Sequence, residues 1–122
     1  MKKNKTNIPK PIGKNYIPDS IGFPEVALGL FRCDGKTVLM LADESKARQI
    51  IKAILETGAK ISSAELGLDG DWRENSSVIY ENGKFSKYDA YDGSFWATPI
   101  LIINYEDRPS EAYECWSPAG KQ

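Results

Sequence analysis

At 122 residues, 41% hydrophobic and 27% charged, the chain is the size of one domain and can build a core without disulfide or metal staples. The net charge of −1 hides a polarity: Lys2, Lys3, Lys5, Lys10 and Lys14 give residues 1–14 a charge of +5, residues 15–60 balance, and residues 61–122 carry −6. No histidine occurs anywhere, which excludes a Ser-His or Cys-His nucleophile and removes the commonest general base and zinc ligand.

Residues 1–24 hold Pro9, Pro11, Pro18 and Pro24 among the lysines. Proline fixes φ and removes amide donors, so an extended basic arm is expected, laid on the domain through Ile12, Tyr16, Ile17, Ile21 and Phe23. The basic start lacks the apolar stretch of a secretory signal. No run approaches the roughly 18 apolar residues of a membrane span. With only Cys33 and Cys115, these features point to a cytoplasmic chain with reduced thiols and no membrane partner.

The next segment, EVALGLFRCDGKTVLMLAD, places two apolar runs around Asp34-Gly35. Asp-Gly favours the positive φ values of a tight hairpin turn. The nearly continuous run from Val38 to Ala42 reads as a strand near the centre of a sheet. Residues 43–58 carry the clearest helix signal. Ala47, Ile50, Ile51, Ile54 and Leu55 form one stripe, Asp43 suits the N-cap, and Gly58 suits a left-handed C-cap.

KISSAELGL reads as a short strand with irregular apolar spacing. SSVIYENGKFSKYD is a second hairpin, with Val78 and Tyr80 before Asn82-Gly83 and Phe85 after it. TPILIINYE reads as a buried strand and EAYECWS as a last one. Pro118 and Gly120 end the pattern. The sum is an α+β domain over residues 25–117, with the arm at 1–24 and a tail at 118–122. One mainly antiparallel sheet of roughly five to seven strands would carry a single amphipathic helix on one face.

Two stretches invite a functional reading. LGLDGDWREN clusters Asp69, Asp71 and Glu74 beside Trp72 and Arg73. Counted from Asp69, the fifth and sixth positions are Arg73 and Glu74, where a calcium loop needs an oxygen ligand and a glycine. A glycosidase pair needs carboxylates facing across a cleft. A polar turn is therefore expected, with partner contact next and no metal. YDAYDGSFWATP mixes Tyr88, Tyr91, Phe95 and Trp96 with Asp89 and Asp92. Such residues serve as core or as interface anchors.

Other motifs are weak. The lysine arm could touch phosphates, but the sheet-forming half is acidic, which disfavours nucleic acid. No glycine-rich phosphate loop is present, and no cofactor is implied. Cys33 beside Arg32 lacks a partner base.

These observations favour a non-enzymatic protein-binding domain, an inhibitor whose acidic, aromatic surface meets a partner protein with a basic surface. In kind, though by no residue motif, it resembles the toxin-immunity and anti-defence proteins of bacteria and phage. The expected contacts are Asp69, Asp71, Trp72, Glu74, Asp89, Tyr91 and Asp92. The alternative is a small-ligand-binding domain or weak enzyme, with an aromatic pocket holding Trp72 or Trp96 in a curled sheet.

Overall fold

The computed structural model describes residues 8–18, 20, 30–33, 36–70, 72–88 and 98–118. The arm is extended, with one short strand, β1 (Gly13–Lys14). It is followed by β2 (Leu30–Cys33) and β3 (Lys36–Ala42), paired antiparallel from Leu30 opposite Leu39 to Cys33 opposite Lys36. This is the expected first hairpin. Its turn residues Asp34 and Gly35, and the side chains of residues 30–41, lie outside the described ones.

Helix α1 (Glu44–Glu56) starts where its cap chemistry predicts. The Asp43 carboxylate accepts a hydrogen bond from the Lys46 amide at 3.0 Å, satisfying one of the amides a helix start leaves free. Thr57 closes the last turn, and Gly58 follows at φ +91°, a conformation that glycine adopts without strain. The buried residues are Ala47, Ile50, Ile51, Ala53 and Ile54, while Leu55 is half-buried.

The rest of the described chain is largely sheet. β4 (Ile61–Asp69) leads through the four-residue helix α2 (Trp72–Asn75) to β5 (Ser77–Glu81), and β6 (Lys84–Phe85) completes the second hairpin. Asn82 and Gly83 have φ of 55° and 78°, the two positive values that a type I′ turn requires. β7 (Thr98–Tyr105), β8 (Glu111–Glu114) and β9 (Trp116–Pro118) follow.

The main sheet has the order β1-β8-β7-β4-β5-β6, and a smaller one has the order β2-β3-β9. All pairings are antiparallel. The two sheets share a strand that changes partners at Cys115. The Cys115 amide still donates to Pro99 on β7 at 3.0 Å, while its carbonyl accepts from the Asp43 amide at 3.2 Å, and β9 then pairs with β3. Strands that switch sheets are how packed sheets make corners.

The expected class therefore holds: an α+β fold, antiparallel, with one amphipathic helix on one face. Several details differ from the sequence reading. β4 is not short. At nine residues it lies between β7 and β5, and its apparent irregularity is a register shift between Ile61 and Ser63. β3 is central in the smaller sheet, not in the main one. Pro118 belongs to β9, opposite Met40, where the chain was expected to leave regular structure. In the arm, Tyr16 packs on the domain as expected, but Ile12 and Ile17 are 44% and 86% exposed. Ile21 and Phe23 lie outside the described residues.

Among the described residues, no helix is long and apolar enough to cross a membrane.

Candidate functional site

A strand sends alternate side chains to opposite faces, so β4 divides into two sets. Ala64, Leu66 and Leu68 are buried, whereas Ser63, Glu65 and Asp69 are half-buried. The first set shares a face with Leu101, Ile103 and Tyr113 under α1, where Ala47, Ile50, Ile51 and Ile54 complete the core. That face also holds Glu111, whose Oε1 accepts the hydroxyls of Tyr105 at 2.8 Å and Tyr113 at 2.9 Å. Burial and the Glu111 bond push both phenols above their ordinary range. They are neutral donors, with no ionisable role near pH 7.

The opposite face is built differently. Ile100, Ile102 and Ala112 form a narrow apolar strip, covered by Tyr16 from the arm and Trp72 from α2. Register places polar groups around it. Glu65 lies opposite Ile102, Asp69 opposite Thr98 and Glu114 opposite Ile100. On the far side of Glu65 sits Val78, 37% exposed. Glu81, opposite Ser63, shares the face.

Glu65 is the group with the most informative environment. Burial raises its pKa, and the negative charge of Glu81 raises it further. No cation among the described residues pairs with it. An ion pair among them joins Arg48 and Glu44 at 2.9 Å on α1, away from Glu65. A half-buried carboxylate beside a second one, with no described cation next to it, is held at a cost that an outside cation would offset.

The expected contact residues divide accordingly. Asp69 and Trp72 both lie on this face, and Asp69 accepts the Tyr16 hydroxyl. Asp71, Asp89, Tyr91 and Asp92 lie outside the described residues, as does the Glu74 side chain. Gly70, at φ +110°, is a turn after Asp69, and α2 begins at Trp72. Among the described residues, no three acidic or thiol groups gather to hold a metal.

Sequence reasoning missed Glu65, Glu81 and Glu114; it placed Tyr16 on the domain but not on this face. The polar-apolar alternation from Ser63 to Asp69 would have revealed Glu65.

Cys115 is fully buried. Burial pushes its thiol up to about 12, and its Sγ donates to the Asp43 carbonyl at 3.3 Å. Such a thiol is not a nucleophile at neutral pH. Cys33 ends β2, and its side chain lies outside the described residues.

No family model matches this chain, and no curated protein or solved structure does.

Proposed function

We propose that this chain is a non-enzymatic protein-binding domain of the cytoplasm, which neutralises a partner protein by presenting the sheet face opposite α1 to a basic surface. The supporting observation is Glu65: half-buried, with a raised pKa, beside Glu81 and without a described cation. Glu114 and Asp69 extend the acidic field, and Trp72 supplies an aromatic anchor next to Ile100 and Ile102. Charge complementarity of this kind speeds encounter and rejects acidic competitors, while a desolvated aromatic slows release. Inhibition of the toxin-immunity or anti-defence type is the role such a surface suits.

The test is capture of the partner by the full chain and by the double variant Glu65→Lys/Asp69→Lys. A basic protein should be retained at low salt, with association slowing as salt rises. Charge reversal should weaken its binding by at least about tenfold, equivalent to about 1.4 kcal/mol. Retention that is insensitive to both salt and charge reversal would overturn the reading. The small-ligand alternative finds support at a different place, the groove beside Trp116.

A further inference from the structure

The arm and the body of the domain enclose a groove of about 280 Å³, lined by Pro9, Lys10, Ile12, Lys46, Glu114 and Trp116. Three of these residues come from the arm. The others come from α1, β8 and β9. The Lys46 Nζ stands 6.0 Å from the centre of the Trp116 ring. The Trp116 Nε1 donates to Glu114 Oε1 at 3.4 Å, a long bond that leaves most of the carboxylate's acceptor capacity unused.

Neither Lys10 nor Lys46 has an ion-pair partner among the described residues. Two ammonium groups, one on the arm and one on α1, thus converge on one groove beside a half-exposed indole. On α1, Glu44 pairs with Arg48, Arg48 and Lys52 lie against Phe85, and Lys46 lies over Trp116, so among these cations Arg48 is the one joined to a described carboxylate. The groove thus brings two ammonium groups from different elements beside an indole and one carboxylate.

The lining narrows the chemistry. A bare inorganic anion would meet the two lysines but also the Glu114 carboxylate, which repels it. A purely apolar ring would use Trp116 and Ile12 and leave both cations unused. A complementary molecule carries a doubly charged anionic end, a flat apolar frame and a hydrogen-bond donor on that frame. We propose that this groove binds a purine nucleoside monophosphate. The phosphate bridges Lys10 and Lys46, the base stacks against Trp116, and its exocyclic amine donates to Glu114. Lysines bind phosphate as point charges without requiring a glycine-rich loop. An indole face accepts any base by stacking. Bound in this way, the ligand would fasten the arm to the body, because Lys10 and Lys46 belong to different elements.

Calorimetric titration of the full chain at low salt tests the inference, with AMP, adenosine and inorganic phosphate as separate probes. AMP should bind at one saturable site. Adenosine and phosphate should each bind at least about tenfold more weakly, since each makes half of the contacts. Lys10→Met and Lys46→Met should each weaken AMP binding about tenfold at an unchanged denaturation midpoint, because both side chains are exposed. Trp116→Leu should abolish the advantage of AMP over phosphate. Equal binding of AMP and adenosine would overturn the phosphate cradle, and equal binding of AMP and phosphate would reduce the site to an adventitious anion contact. Absence of saturable AMP binding at millimolar concentration, or binding indifferent to both lysine variants, would overturn the inference as a whole.

Discussion

The two faces of the main sheet solve the same physical problem with different completeness. Under α1, apolar side chains from five elements interlock, and the polar groups among them are paired internally: two tyrosine hydroxyls share one Glu111 oxygen. Across the sheet, the buried cluster among the described residues is Ile100, Ile102 and Ala112, with Tyr16 and Trp72 laid over it. A carboxylate there sits in partial burial with a like charge as its neighbour. The first face is organised for stability. The second holds a half-buried carboxylate beside a like charge and is thinly covered, an arrangement that costs stability.

The sharpest way to break this contrast is to remove equal volume from each face. Ile103 is fully buried beneath the helix, and Ile102, its chain neighbour, is 5% exposed on the opposite face. Ile103→Ala should cost about 4 kcal/mol and Ile102→Ala about 2 kcal/mol, since a thinly covered site can relax around a cavity. Urea denaturation of both variants measures this. Equal costs would mean that the second face is as tightly packed as the first.

A second comparison concerns internal pairing. Glu111→Ala strips the acceptor from two buried hydroxyls and should cost about 2 kcal/mol. It also changes the alkaline limit of stability. Both phenols have folded pKa values above the ordinary 10.0, so the fold favours their neutral form. That contribution is complete below pH 10 and is lost as pH rises toward the folded values. Because Glu111 supplies part of the upward shift, the variant should lose stability less steeply above pH 10 than the parent. An identical alkaline slope would mean that burial alone sets those phenols.

On the second face, the arm is the covering element most open to perturbation. Tyr16→Phe keeps the ring on Ile100 and Ile102 but deletes the hydroxyl that Asp69 accepts, which should cost about 1 kcal/mol. The amides of Ile12 and Asn15, which donate to Ala112 and Ser110, should then exchange faster, while those of α1 stay unchanged. Acceleration spread into α1 would show the arm to be integral to the core.

How much of this was legible beforehand depends on range. Asp43 at the N-cap, Gly58 after the helix and Asn82-Gly83 in the hairpin are local signals, and each stands where the residue type demands it. The acidic face was half legible. Asp69 and Trp72 stood out because they cluster in sequence. Glu65 carried only the alternation along β4, since its partners Ile102 and Val78 are brought to it by pairing; β5 lacks even that signal, because the register shift there buries Ile79 and Tyr80 in succession. A strand with two consecutive buried residues loses the period of two that pattern reading relies on. The Tyr16–Asp69 contact spans 53 residues, and the change of partners at Cys115 depends on β3, far earlier in the chain. No local pattern announces either.

The smallest expected effect separates stability from binding most cleanly. Glu65→Gln replaces a half-buried carboxylate by a neutral isostere, relieving both the burial penalty and the repulsion from Glu81. The folded pKa of Glu65 lies above 4.5, so the fold prefers its protonated form. That preference contributes fully below pH 4.5 and disappears as pH rises through the folded value. At pH 7 the parent therefore carries the cost of the charge and the variant does not. The variant should be more stable by about 0.5 kcal/mol at pH 7, and the gain should vanish as pH falls below 4.5. Urea melts at the two pH values read the difference. If the second face exists to meet a cation, this same variant should bind the basic partner more weakly while folding better. A substitution that lost both stability and binding would place Glu65 among the groups that hold the fold together, and the two faces would then differ only in how thickly they are covered.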